Sequence, residues 1–381
     1  MKNGSCRPLE GFRAFLFSRP IQSQASFRPR TRQTVPWADG PHFVRPARLR
    51  SDSRLAALSL SSGFVTQVMG RYHAGVRQVA DEFGWEIIPA PNALRGEDYL
   101  AAHPQARADD LHWALQNPEI DGLLSIIGGD DSVRLLPFLD LDLIRAHPKP
   151  FLGFSDSTVT LLAFLRAGVM AYHGPALLTD LAENGGLHPF TVQGLRRALV
   201  DPPQSFDLSP APEWSEHFSD WGDETLQEVR RPFTPGDGWH WLQGDASAQG
   251  HLIGGCLEVL DMLNGTPGWP APEVWHGAVL ALETSEDVPA PAQVGYWLRN
   301  YAAQGILAHA AGLLLARPRS YTPEMVQDLY RWVRRVLREA GRADLPVVAN
   351  VDFGHTSPQL TLPLGAQVRL DPLEGRVTVL P

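Results

Sequence analysis

From about residue 43 the chain alternates short apolar runs with stretches of helical period. Residues 55–60 form an apolar strand that ends at Ser61-Ser62-Gly63, and a helical pattern follows to about Phe83. Residues 85–89 predict a second strand, and a helix around Asp109, Asp110, Leu111 and Trp113 comes next. Residues 122–127 predict a third strand that runs into Gly128-Gly129-Asp130-Asp131-Ser132. Residues 151–154 and 169–172 predict a fourth and a fifth. Strands that are apolar throughout and alternate with helices predict a parallel sheet covered on both faces. Ligands of such sheets bind beyond the carboxyl ends of the strands. Ser61, Gly128-Gly129 and Ser155 all fall at those ends.

The rhythm breaks over residues 203–238. Pro203, Pro210, Pro212, Pro232 and Pro235 are interspersed there with Trp214, Phe218 and Trp221. This predicts a long aromatic loop, and long loops in compact proteins are functional or disordered. Trp content argues against disorder. Alternation then resumes with strands over 239–242, 250–255, 278–282, 312–315 and 345–351, and helices over 257–263, 294–303 and 325–339. Residues 359–380 alternate in strand fashion. The division expected is an extension over 1–42, one α/β domain over 43–190 and a second over 191–381.

Composition narrows the class. The 381 residues are 44% hydrophobic and 20% charged, as in ordinary folded proteins. The net charge is -9, yet residues 1–42 hold Lys2 and six arginines against Glu10 and Asp39. The body is therefore more acidic than the total, which argues against a nucleic-acid partner held through phosphates. The basic leader has no helical or strand period; it reads as disordered, as a transit peptide or as a misassigned start. Two cysteines, Cys6 and Cys256, make neither a disulfide framework nor a Cys-based metal site and fit a reducing, cytoplasmic setting. No apolar run reaches the ~18 residues of a membrane span.

The chemistry centres on Gly153-Phe154-Ser155-Asp156-Ser157-Thr158. A buried strand, a sharp turn with Ser at its tip and a helix behind it form a nucleophile elbow. The same Ser-Asp also suits a helix N-cap, and Ser157 stands where a full G-x-S-x-G has its second glycine. A Ser hydroxyl needs a base, and the base needs a carboxylate to orient it. Glu283 ends the strand at 278–282, and His355 follows Phe353-Gly354 after the strand at 345–351. Each reads alternatively as a surface carboxylate or a turn residue. Gly128-Gly129 suits either a tight turn or an oxyanion loop, since glycine lets a backbone N–H approach closely. The tryptophans suit packing or ligand stacking, and His173 reads as structural. There is no H-E-x-x-H, phosphate loop or G-x-G-x-x-G.

Five segments occur in order: Gly128-Gly129-Asp130-Asp131-Ser132, Gly153 to Thr158, Leu252-Ile253-Gly254-Gly255-Cys256-Leu257-Glu258, Leu282-Glu283-Thr284-Ser285-Glu286 and Phe353-Gly354-His355-Thr356. Together they resemble the LD-carboxypeptidase family of serine peptidases. Trp239 to Gly244 and the Leu-Glu-Thr-Ser-Glu segment lean to its microcin C self-immunity branch. The resemblance implies a flavodoxin-like domain followed by a smaller β-rich domain, and a cytoplasmic homodimer without metal or cofactor. It also implies a Ser155-Glu283-His355 triad, with Glu286 as rival acid. Asp156 and Gly128-Gly129 would supply oxyanion N–H groups. Asp130, Trp221 and, as second choice, Trp214 would bind substrate. The implied substrate is an aminoacyl- or peptidyl-nucleotide conjugate or, alternatively, a cell-wall tetrapeptide. A non-enzymatic ligand binder on the same frame is the reading from another class.

Overall fold

The computed structural model describes residues 41–381, so the basic leader expected over 1–42 lies, but for its last two residues, outside the described residues. Five parallel strands, Arg54–Leu58, Glu86–Pro89, Gly122–Ser125, Phe151–Gly153 and Ala171–His173, make the first sheet. Their spatial order is second, first, third, fourth, fifth, the flavodoxin-like arrangement. Four of them are buried almost throughout, because helices cover both faces; only the edge strand Glu86–Pro89 shows exposed positions. A sixth strand, Leu362–Leu364, returns from the far end of the chain and pairs antiparallel with Ala171–His173.

The second sheet has eight strands. Four central ones, Ala248–Cys256, Val279–Glu283, Gly312–Ala316 and Val347–Val351, run parallel. Antiparallel strands flank them: Gln367–Asp371, Arg376–Val379 and Phe206–Leu208 on one side, His240–Gln243 on the other. The helix Pro323–Glu339 shows how its sequence selects its place. Thr322 caps it by accepting the Met325 N–H, and Pro323 occupies the first turn, where no donor is needed. Leu329, Val333, Val336 and Leu337 then fall on one buried stripe.

One continuous apolar core runs through both sheets. They meet where the helix Thr158–Arg166, buried along nearly its whole length, packs on the strand Ala248–Cys256. Gly255 permits that approach, since a Cβ there would sit 2.5 Å from the Thr158 side chain. Thr158 Oγ1 in turn accepts the Cys256 N–H at 3.1 Å. The loop expected over 203–238 does contain regular structure: Phe206–Leu208, the pair Glu213–Trp214 and Thr234–Pro235, and a single turn at Glu224–Leu226. Strands of two or three residues carry no readable period, and distant pairing alone holds them.

Candidate active site

The turn after Phe151–Gly153 is tight. Gly153 faces Ser125 and Ser157, and a Cβ on it would come within 2.8 Å of the Ser125 Cβ. Phe154 is extended, and Ser155 then takes a left-handed φ of 58°. A non-glycine residue held there costs about 1–3 kcal/mol and persists only where the surroundings enforce it. The helical segments behind it open without a side-chain cap. The Ser155 hydroxyl is directed instead at His355, whose Nε2 lies 3.0 Å from Oγ.

His355 arrives from the loop after Val347–Val351, with its side chain only 5% exposed. Its Nδ1 lies 2.6 Å from Oε2 of Glu283, which ends the strand Val279–Glu283 and is 0% exposed. With Nδ1–H donating to Glu283, Nε2 presents a lone pair to the Ser155 hydroxyl. Ser155, His355 and Glu283 thus form one hydrogen-bonded chain, with links that span 200 and 72 residues.

Glu283 has a second histidine. His173, at the end of the neighbouring first-sheet strand, places Nε2 3.0 Å from Glu283 Oε1 and is 1% exposed. Its Nδ1 is buried without a hydrogen-bond partner, so the proton belongs on Nε2 and is donated to the carboxylate. Burial pushes the Glu283 carboxyl up, but His355 first and His173 second outweigh it and hold it at about 2. Phe154 and Phe353 close the surroundings edge-on to the two imidazoles, at 5.0 to 6.2 Å. From the sequence alone His173 reads as structural. The available signal was its position: a histidine ending the strand beside the elbow strand, in register with Gly153.

The glycine loop reaches the same point. A Cβ on Gly128 would stand 3.0 Å from Ser155 Oγ and 3.4 Å from the Asp156 nitrogen. Gly129 has a φ of 147° and lies against Ser61. Asp156 does more than offer a backbone N–H. Its buried Oδ2 accepts the Ser61 hydroxyl at 2.5 Å and the N–H groups of Asp131 and Ser132 at 3.0 and 2.8 Å. That carboxylate fastens the glycine loop to the elbow. Arg107, fully buried, braces the loop from below by donating to the Leu60 and Ser61 carbonyls and to Asp131.

The residues expected to bind substrate are placed less centrally. Asp130 is exposed at the rim of the loop. Trp221 is half-buried; its ring partners are Phe64 and Phe218, and the Arg71 guanidinium covers it at 4.4 Å. Trp214 carries the Arg317 guanidinium at 4.8 Å, and its neighbour Ser215 bridges to Ser357, two residues beyond His355. Glu286, expected as a rival acid, lies on the far side of the His355 ring from Glu283: Oε2 is 3.1 Å from His355 Nε2, and its side chain is 59% exposed.

The described residues contain no helix long and apolar enough to cross a membrane. Residues 55–174 match the LD-carboxypeptidase N-terminal domain, and residues 249–370 match the LD-carboxypeptidase C-terminal domain. The microcin C7 self-immunity protein MccF of Escherichia coli is 26% identical, over 87% of this chain and 94% of its own. A probable murein peptide carboxypeptidase of Bacillus subtilis is 27% identical, over 78% and 84%. Among solved structures, an MccF-like protein from Streptococcus pneumoniae in complex with AMP superposes with a TM-score of 0.77 at 30% identity, covering 87% of this chain and 99% of that one.

Proposed function

This chain belongs to the LD-carboxypeptidase family, and from that premise we propose that it is a serine peptidase cleaving an amide through Ser155, His355 and Glu283. The observation that carries the proposal is the hydrogen-bonded chain of 3.0 and 2.6 Å through these three side chains. His355 takes the Ser155 proton as Oγ attacks the carbonyl carbon, and Glu283 holds the ring and stabilises the imidazolium. The leaving amine takes the proton back from His355. Water, deprotonated by the same imidazole, then attacks the acyl-enzyme, and the imidazolium returns that proton to Ser155 Oγ as the carboxylic acid leaves. Base catalysis of this kind contributes ~10²–10⁴-fold. The N–H of Asp156 and one from Gly128-Gly129 receive the oxyanion, each donor worth ~2.7–4 kcal/mol. In this reading the domain over 43–190 supplies nucleophile and oxyanion donors, and the domain over 191–381 supplies acid and base.

The substrate we favour is an aminoacyl- or peptidyl-nucleotide conjugate. Its support is the likeness to a microcin self-immunity protein and to a structure holding AMP. Trp221, with Trp214 behind it, is the proposed platform for the base, and Asp130 stands at the same rim. The second reading, carboxypeptidase action on cell-wall tetrapeptides, is supported by the likeness to the murein peptide enzyme. A homodimer in the cytoplasm belongs to the same proposal.

The test offers an aminoacyl-sulfamoyl adenosine and a muropeptide tetrapeptide side by side to wild type and to Ser155→Ala. Wild type hydrolyses the first faster, and the folded variant hydrolyses neither. Full turnover by Ser155→Ala ends the triad assignment. A wild-type preference for the tetrapeptide moves the substrate to the second reading. Failure of a fluorophosphonate to label Ser155 favours a ligand binder over an enzyme.

A further inference from the structure

His355 Nε2 has two claimants. Ser155 Oγ lies at 3.0 Å and Glu286 Oε2 at 3.1 Å. One ring nitrogen cannot serve both in the same state. As a base it must accept the Ser155 proton through its lone pair. Toward Glu286 it can only donate, which requires the protonated imidazolium while Nδ1–H is given to Glu283. The two carboxylates at the ring also differ in setting. Glu283 is sealed off, whereas Glu286 opens to solvent beside the nucleophile. Among the described residues His355 is the only ion-pair partner of Glu286; Arg319 acts on it only at longer Coulombic range.

We propose that Glu286 receives the free α-ammonium group of the substrate's acyl part, and in doing so releases His355 to act on Ser155. The chemistry is local. A carbonyl carbon under attack sits at bonding distance from Ser155 Oγ, and an α-nitrogen is two bonds further on. A carboxylate 3.1 Å from the ring nitrogen that touches Oγ lies within reach of that nitrogen. An ammonium group there supplies Glu286 with the donors it otherwise draws from His355. The ring then loses one of the two negative charges that favour its protonated form. The side chains hold these charges in the ligand-free state: His355 is raised to about 10 against the pull of burial, by Glu283 and then Glu286.

This inference rests on the hydrolase reading and narrows it. It selects acyl groups with an unblocked α-amine, the aminoacyl conjugates, over peptidyl groups whose α-nitrogen is an amide. The experiment compares an aminoacyl-sulfamoyl adenosine with its Nα-acetyl counterpart. For wild type, kcat/KM favours the free amine by about tenfold or more, as for a charge-assisted hydrogen bond. In Glu286→Gln that ratio falls toward one. An unchanged ratio, or a wild-type preference for the acetylated compound, overturns the proposal. Calorimetric binding of the same pair to Ser155→Ala and to Ser155→Ala/Glu286→Gln separates it from the underlying reading. Amine preference in binding that vanishes with Glu286, where the wild type hydrolyses neither compound, removes the hydrolase and keeps the ammonium site. Hydrolysis without any amine preference in binding or turnover removes the ammonium site and keeps the hydrolase.

Discussion

Gly354 has no room for a side chain, because Glu283 Oε2 occupies the space a Cβ would take. Gly354 also has a φ of 87°, which disfavours any L side chain. The residue before His355 is thus shaped by Glu283, and the two ends of the His355–Glu283 contact constrain each other. Gly354→Ala should displace Glu283 or His355, destabilise the protein by about 1–3 kcal/mol and lower kcat by roughly 10²-fold. Thermal unfolding and steady-state kinetics check both, and a wild-type kcat contradicts the account.

Asp156→Asn should separate loop positioning from nucleophile chemistry. It weakens an acceptor shared by Ser61, Asp131 and Ser132 while leaving Ser155 and its backbone N–H in sequence. Hydrogen bonds to a charged acceptor are worth ~1.5–3 kcal/mol. Expected are reduced thermal stability and a fall in kcat, with fluorophosphonate labelling of Ser155 retained but slower. Complete loss of labelling would mean that Asp156 acts on the nucleophile itself.

His173→Phe keeps a ring in the wall beside Phe154 and removes the N–H on Glu283 Oε1. A buried acceptor left unpaired costs about 1–3 kcal/mol, more when charged. The hydrogen bond from His173 favours ionised Glu283, so its loss raises that carboxyl from about 2. Without His173 the carboxylate bears more fully on the His355 Nδ1–H, so the inflection of activity set by His355 should move to higher pH, which a purely steric role would not produce.

In the proposed mechanism His355 sets the pH dependence of activity. The groups facing His355 are Ser155, Glu283 and Glu286, with His173 acting through Glu283 and Arg319 through Glu286. The ring accepts the Ser155 proton only when neutral, so kcat/KM of the free enzyme rises with pH through the inflection of a ring raised to about 10. Glu286→Gln removes a charge that favours the imidazolium, so the inflection moves down by about one pH unit or more. An upward shift contradicts the sign.

Trp221→Ala tests the stacking platform. Stacking of a base on an aromatic is worth ~1–3 kcal/mol, so KM for a nucleotide conjugate should rise about 5-fold or more with kcat little changed. Arg71 lies over this ring, and the substitution also removes that cation–π contact. Lys in place of Arg71 therefore serves as the control. A tetrapeptide substrate, which carries no base, should be indifferent to both.

Local sequence determined the elements and their punctuation. The apolar runs that became Arg54–Leu58, Gly122–Ser125, Phe151–Gly153 and Val279–Glu283 were readable, as was the helix Leu257–Leu263, because period and turn chemistry belong to neighbours a few residues apart. The residues that meet at 3.0 and 2.6 Å could each be set at or just beyond a strand end from the same signals. Tertiary structure alone decided which carboxylate is sealed behind His355 and which opens to solvent, and that His173 shares the first of them. It also decided that Asp156 fastens the glycine loop, that Leu362–Leu364 completes the first sheet, and that arginines cover both loop tryptophans. The reason is common to these cases. Burial, pairing and the direction of a side chain depend on surfaces brought together from tens to well over a hundred residues apart, and no local period records which surfaces those are.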